Sequence, residues 1–260
     1  MRFSLALRAS LVTEPLDFAR LELLAPRPVM KAHHLRETGV AIAVRHQTAD
    51  ILALDEVFSQ REYELPPEVK EVLARRRPLR VLDLGANIGL FGAWTLGQFS
   101  HVEITSIEAD PDNARVLAAT IAANRGKTWN LVEAAAGTRA DTVRFVAGGH
   151  TTSHLAQPDE NGIEIPAVDV FELPGDVDLL KIDIEGGEWP LLDDPRFGRR
   201  GANAVVLEYH PQGCPTADAR AAAEDRLRRA GFEITSVRPH PEHGTGLIWA
   251  LRGRLDETGS

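Results

Sequence analysis

Four short runs carry the residues that can do chemistry. Asp83-Leu84-Gly85-Ala86-Asn87-Ile88-Gly89 places an acid and two glycines where an apolar run gives way to a helical one. Ile107-Glu108 ends a second apolar run in a carboxylate, and Asp183-Ile184-Glu185-Gly186-Gly187-Glu188 ends a third in three acids around a glycine pair. Glu208-Tyr209-His210 ends a fourth in an acid and an imidazole. A glycine turn between strand and helix lets backbone approach a ligand closely and presents free N–H groups to it. A carboxylate at the end of the neighbouring strand can accept both hydroxyls of a ribose. Acids and an imidazole at the ends of later strands can move a proton or hold a cation.

The elements that must position these runs are legible from residue 79 onward. Apolar runs at 79–84, 102–108, 129–134, 177–183, 204–209, 232–237 and 247–251 read as strands. Helical patterns fill 88–98, 111–124, 188–193 and 217–230. Asp110-Pro111 supplies an N-cap acid and a first-turn proline, and Gly231 a C-cap. Such alternation predicts an α/β fold, a mostly parallel seven-stranded sheet with helices on both faces. No helix separates the last two runs, so they should pair antiparallel. The first 65 residues read as an N-terminal cap or lid, residues 66–254 as the main domain and 255–260 as a flexible tail. Pro15, Pro26 and Pro28 confine a helix to about 16–24; 40–44 and 51–54 read as a hairpin or two edge strands, and 55–60 as a helical turn. Residues 148–162 read as a loop on the substrate side.

With 260 residues, 43% of them hydrophobic, the chain can bury a full core. A net charge of -9 argues against a nucleic-acid or anionic-membrane binder. One cysteine, Cys214, leaves no internal disulfide framework. The broken apolar stretch at the N-terminus does not read as a signal peptide. The expectation is a cytoplasmic protein acting on a small molecule, with a homodimer compatible.

The turn alone fits several cofactors. A nicotinamide fingerprint needs glycine at its first, third and sixth positions, where this chain has Gly85, Asn87 and Leu90. An acid two residues before the first glycine suits the ammonium of S-adenosylmethionine, whereas a pyrophosphate has no use for it. Together, Asp83 to Gly89, Ile107-Glu108-Ala109-Asp110-Pro111 and Val177 through Glu188, above all Lys181-Ile182-Asp183-Ile184-Glu185-Gly186-Gly187-Glu188, resemble the FkbM family of S-adenosylmethionine-dependent methyltransferases. Arg45 through Thr48, Asp50, Val57-Phe58 and Glu62-Tyr63 resemble that family's N-terminal segment.

The resemblance covers about residues 40–210 and implies a class I, Rossmann-like methyltransferase fold and, usually, O-methylation of a hydroxyl on a sugar, polyketide or other secondary metabolite. It implies that Gly85, Ala86, Asn87 and Gly89, with Asp83, line the methionine and ribose of the cofactor, that Glu108 holds the ribose, and that the 133–136 stretch, including Ala134 and Ala135, flanks the adenine. The competing functions are a nicotinamide-dependent oxidoreductase and a non-catalytic cofactor-binding protein.

A hydroxyl acceptor needs a base or a metal as the methyl moves. His210 or Asp183 can take the proton, with Glu208 beside them; alternatively Asp183, Glu208 and His210 can hold an ion such as Mg. Asp183 also faces the cofactor in this reading. Glu185, His154 and Tyr63 are the candidate substrate contacts, Glu188 reads as a structural acid in a helix's first turn, and His33-His34 as a solvated pair.

Overall fold

The computed structural model describes residues 5–146, 154–155, 160–199, 202–240 and 242–253. In chain order the elements are α1 (Leu5–Ser10), α2 (Pro15–Leu24), β1 (Met30–His34), β2 (Ala41–Arg45), α3 (Asp50–Leu54), a π-helical turn (Asp55–Ser59), α4 (Pro67–Ala74), β3 (Leu79–Leu84), α5 (Leu90–Gln98), β4 (Val102–Glu108), α6 (Pro111–Ala123), β5 (Thr128–Glu133) and β6 (Ala135–Gly137). They continue with β7 (Asp141–Val146), β8 (His154–Leu155), β9 (Ile163–Asp169), β10 (Leu179–Ile182), α7 (Glu188–Asp193), a 3-10 turn (Phe197–Arg199), β11 (Ala204–Tyr209), α8 (Ala219–Arg229), β12 (Phe232–His240) and β13 (Thr245–Arg252).

Seven strands form the central sheet in the order β12-β13-β11-β10-β3-β4-β5. β13 runs antiparallel to both neighbours, and the other pairings in the sheet are parallel. The carboxyl ends of β3, β4, β10 and β11 therefore share one edge, and the order reverses beside β3, where open sheets leave a crevice for ligands. The period-2 pattern of the strands sorts their side chains into two cores. Leu79, Val81, Leu179, Val206 and Trp249 face one layer, and Leu82, Leu84, Leu180, Val205, Leu207 and Ile248 face the other. The second layer is closed by α7 and α8 through Leu191, Leu192, Ala223 and Leu227.

The first layer is closed largely by the N-terminal segment. Phe18, Ile42, Val44, Ile51, Leu54 and Tyr63 join the same cluster as Leu79, Phe91 and Trp94. Polar ties fix it further: the Thr120 hydroxyl accepts from the Ala43 amide at 2.9 Å, and Arg45 donates to Asp50 at 2.8 Å and to Asn113 Oδ1 at 2.6 Å. The segment thus braces α6 at the end that opens on the ligand crevice.

Three expectations are corrected here. The partner of β2 is β1, and residues 51–54 are helical. Ile51 and Leu54 are buried while Leu52 is 51% exposed, which is the period of a helix. Between residues 134 and 170 the chain forms a second, four-stranded sheet of order β6-β9-β7-β8, most of whose pairings are antiparallel. Its short strands sit between loops and lack the long apolar runs of the central sheet. Residues 147–153 and 156–159 of the expected substrate loop, and the 255–260 tail, lie outside the described residues.

His33 is the third correction. It is 1% exposed, with its Nε2 2.9 Å from Nε2 of His46 and the Phe18 ring 5.2 Å away. His46 reaches Glu22 through Nδ1 at 3.2 Å. Burial first, then the His46 charge, holds His33 down at about 4 against an ordinary 6.5. A base whose folded value is depressed gives up stability as pH falls below its unfolded value. Urea unfolding followed from pH 6.5 down to about 4 is expected to show a loss of about 2–3 kcal/mol from this residue. The fall should be shallower in His33→Asn; an identical slope in that variant contradicts the assignment.

Candidate active site

β3 delivers Asp83 to the end of the sheet, and the chain then turns sharply through Gly85 (φ +73), Asn87 (φ +50) and Gly89 (φ +87) into α5. Positive φ at three of five positions explains the glycines, and Asn is among the residues that tolerate it. β4 ends in Glu108, whose Oε2 accepts from the Asn87 amide at 2.6 Å and whose Oε1 accepts from the Asp110 amide at 2.8 Å. Beyond the turn a cleft of about 660 Å3 opens. Gly85, Asn87 and Glu108 form one wall, Ala134, Ala135 and Phe145 a second, and Asp183 and Glu185 the far end.

Asp83 does not line this cleft. It is 0% exposed, and its Oδ1 lies 3.5 Å from Lys181 Nζ while its Oδ2 accepts from the Ser106 hydroxyl at 3.3 Å. Lys181 stands opposite Asp83 in the β3–β10 register and donates to the carbonyl of Gly85 at 2.6 Å, with Asp183 Oδ2 at 3.1 Å. Asp83 therefore acts on the turn through Lys181. Burial alone would lower the ammonium's pKa, but Asp183 and Asp83 outweigh it and hold it above its ordinary value. Burial, more than anything else, raises the pKa of Asp83, and Lys181 opposes it. Ala86 and Gly89 also sit behind the turn: Ala86 is 2% exposed, and a Cβ on Gly89 would point at Leu117 and Trp129.

The far end holds the reactive groups. Glu185 has φ +51, a strained conformation for a non-glycine, and its side chain is 31% exposed at the cleft. Burial, then Asp183, pushes it up to about 7. His210 is 4% exposed; Oε1 of Glu188 lies 2.8 Å from its amide and 3.2 Å from its Nδ1, and Glu185 lies 3.5 Å from its Nε2. Burial works against its charge, yet Glu188 and Asp183 prevail and raise it to about 9. The raised value favours the imidazolium form of His210 at neutral pH and so favours Asp183 over it as the proton acceptor. Glu188, 0% exposed, accepts from the Gly186 and His210 amides and holds this corner together.

The expected ion-holding trio is not one group. Asp183 and His210 come together with Glu185, whereas Glu208 converges with Glu62 and His240. Tyr63, expected at the substrate, is a core side chain at 5% exposure, its ring 4.8 Å from Phe91 and 6.0 Å from Trp94. Its large apolar ring gains more from that packing than from the cleft. Glu133 is exposed and stands away from the cleft wall. Residue 154 lies in β8, paired with Val146. Lys181 stood out in the sequence only as part of the run that carries the resemblance; its role was missed, although a lysine inside an otherwise apolar strand was the signal. Phe145 and Asn113 at the cleft, and His240, carried no local signal, because distant segments bring them there; Glu62 stood out only as part of the N-terminal resemblance.

The sequence of the chain matches the methyltransferase FkbM domain over residues 83–234, more than half of its length. The chain belongs to the FkbM methyltransferase family. It is a class I, S-adenosylmethionine-dependent methyltransferase, and the central sheet has the order and the single antiparallel strand of that class. Among curated proteins, the AMB antimetabolite synthetase AmbE of Pseudomonas aeruginosa is 26% identical over 234 residues, covering 70% of this chain and 10% of the synthetase. The chain thus spans about a tenth of that relative's length. Similar solved structures include Aeropyrum pernix fibrillarin with natively bound S-adenosyl-L-methionine, at 14% identity, 85% of this chain, 94% of that one and a TM-score of 0.45. Magnesium protoporphyrin IX methyltransferase from Synechocystis, with bound S-adenosylmethionine, stands at 12%, 77%, 83% and 0.45.

The residues of this FkbM chain fit that cofactor. A Cβ at Gly85 would fill the space where the turn meets β10, and Glu108 faces the cleft from between two amides. Ala134 and Ala135 leave a flat wall beside Phe145. Burial raises Glu108 to about 7 despite those two amides. Its carboxylate form is the better acceptor for two hydroxyls. Affinity for S-adenosylhomocysteine, measured by calorimetry, is therefore expected to rise between about pH 6 and pH 8 and to lose this dependence in Glu108→Gln. A flat wild-type profile contradicts this role for Glu108. Among the described residues no helix is long and apolar enough to cross a membrane.

Proposed function

We propose that this enzyme methylates a hydroxyl of a small molecule and that Asp183 accepts the hydroxyl proton. Bound S-adenosylmethionine supplies an electrophilic methyl group. The observation that supports an oxygen acceptor is the carboxylate of Asp183, 24% exposed at the far end of the cleft and held by Lys181 at 3.1 Å. A hydroxyl needs such a proton acceptor as its oxygen attacks, whereas a neutral amine does not.

Lys181 orients Asp183 and ties it to the Gly85 carbonyl, so the acid and the cofactor turn move as one unit. Fixing both reactants supplies much of the rate in a displacement of this kind. Glu185 stands on the same wall, where it can orient the acceptor, and the His210 imidazolium keeps Glu185 in place. Family membership favours this reading over a nicotinamide-dependent oxidoreductase.

The test is production of S-adenosylhomocysteine with a panel of alcohols, phenols, sugars and amines. Methylation confined to hydroxyls is expected, with Asp183→Asn lowering kcat by about 10²–10⁴-fold while cofactor affinity changes little. Turnover of amines alone, or an Asp183→Asn enzyme as fast as wild type, overturns the proposal.

A further inference from the structure

We propose that Glu62, Glu208 and His240 form a binding site for a first-row divalent cation where the N-terminal segment meets the carboxyl end of β11. One donor atom from each side chain lies within 4.8 Å of the others. The three come from separate parts of the chain: the stretch after the π-helical turn, the end of β11 and the last residue of β12. All three side chains are half-buried.

None of their donor atoms has a hydrogen bond among the described residues, and the cation nearest to Glu208 is His210 Nε2, at 4.0 Å. Two carboxylates held together with positive charge only at a distance, from Lys181, Arg238 and His210, still repel, and burial strengthens the repulsion. Arg238 eases the charge of Glu62 only from a distance and forms no ion pair with it among the described residues. Its guanidinium donates instead to the carbonyls of Arg61 at 2.8 Å and Glu62 at 3.0 Å. That arrangement pins the backbone of Glu62 to β12, two residues before His240, and leaves the carboxylate turned toward the other two donors.

The neighbouring group of Asp183, Glu185 and His210 differs in this respect. Lys181 already neutralises Asp183, and His210 is bonded to Glu188 and paired with Glu185. Its charges are met by direct contacts, while the 4.0 Å approach of His210 is the nearest that a cation comes to Glu208 among the described residues. Two oxygens and one imidazole nitrogen suit Mn2+, Fe2+ or Zn2+ better than Mg2+, which prefers oxygen alone. Three protein donors leave coordination positions open to water or to an oxygen of the acceptor. An ion here also ties the N-terminal segment to the sheet beside the cleft.

The test is Mn2+ binding to the chelator-treated full chain near neutral pH, read from the loss of the free-ion electron paramagnetic resonance signal. One equivalent is expected to bind. Glu208→Gln, His240→Ala and Glu62→Gln are each expected to weaken binding by at least about tenfold, and Glu185→Gln to leave it unchanged. Circular dichroism confirms which variants are folded, and three variants on three segments keep the test alive if one misfolds. No saturable binding by the wild type, or binding that persists in the folded variants of this trio, overturns the proposal. The readout does not depend on methyl transfer, so it stands or falls separately from the assignment of Asp183.

Discussion

Gly85→Ala is expected to abolish cofactor binding and to lower thermal stability sharply. Gly85 has φ +73, and a Cβ built there would lie 1.7 Å from the carbonyl oxygen of Asp183 and 2.8 Å from its carbonyl carbon. Those atoms are backbone and cannot rotate away. The end of β10 must shift, and with it Asp183, the ion pair to Lys181 and the wall of the cleft. Gly39 is an internal control with nearly the same conformation, φ +71, but with nothing within 4 Å of an added Cβ. Gly39→Ala should cost only the left-handed backbone penalty, about 1–2 kcal/mol. The difference between the two variants in thermal unfolding isolates the close approach. A Gly85→Ala protein that unfolds with Gly39→Ala and binds S-adenosylhomocysteine normally would contradict this account of the turn.

Lys181→Met has the second largest expected effect. Lys181 is 3% exposed and faces two acids, Asp83 at 3.5 Å and Asp183 at 3.1 Å, as well as the Gly85 carbonyl at 2.6 Å. Removing it strands a buried carboxylate, which typically costs about 3–5 kcal/mol. The pH dependence has a definite sign. Burial already raises the pKa of Asp83, and loss of Lys181 raises it further. An acid with a raised folded pKa is destabilising when ionised, so the penalty is full above that pKa and is relieved as pH falls through it. Urea unfolding should show a large deficit near neutral pH that narrows in mild acid. Asp83→Asn combined with Lys181→Met should recover part of the loss, since the charge that was stranded is gone. A Lys181→Met protein within about 0.5 kcal/mol of wild type would show that the buried pair is not what holds the turn.

Much of this architecture was legible in the sequence because its strands are buried on both faces. Runs such as Leu79 to Leu84 and Ala204 to Tyr209 are apolar and buried at most positions, which marks them as interior strands. The place of Glu108 at the end of β4, where it faces the cleft, followed from the pattern of its strand. Residues 135–169 were less legible, since β6 and β8 are too short for a period to show. The reading of residues 51–54 failed because four β-prone side chains fit either period, and burial of Ile51 and Leu54 against the sheet decided for the helix. The roles of the acids divided in a way that spacing does not encode. Asp83 looks like a site residue in the sequence but is a fully buried support, as is Glu188, which already read as structural. His240 looks like an ordinary polar residue, yet the fold brings it together with Glu62 and Glu208.

The most direct test of the central claim is a crystal structure of the enzyme with S-adenosylhomocysteine. The account predicts the ribose hydroxyls on Glu108, the adenine against Ala134 and Ala135, and the sulfur turned toward Asp183 at the end of β10. A ligand bound elsewhere, or one in the cleft whose sulfur points away from Asp183, would contradict it.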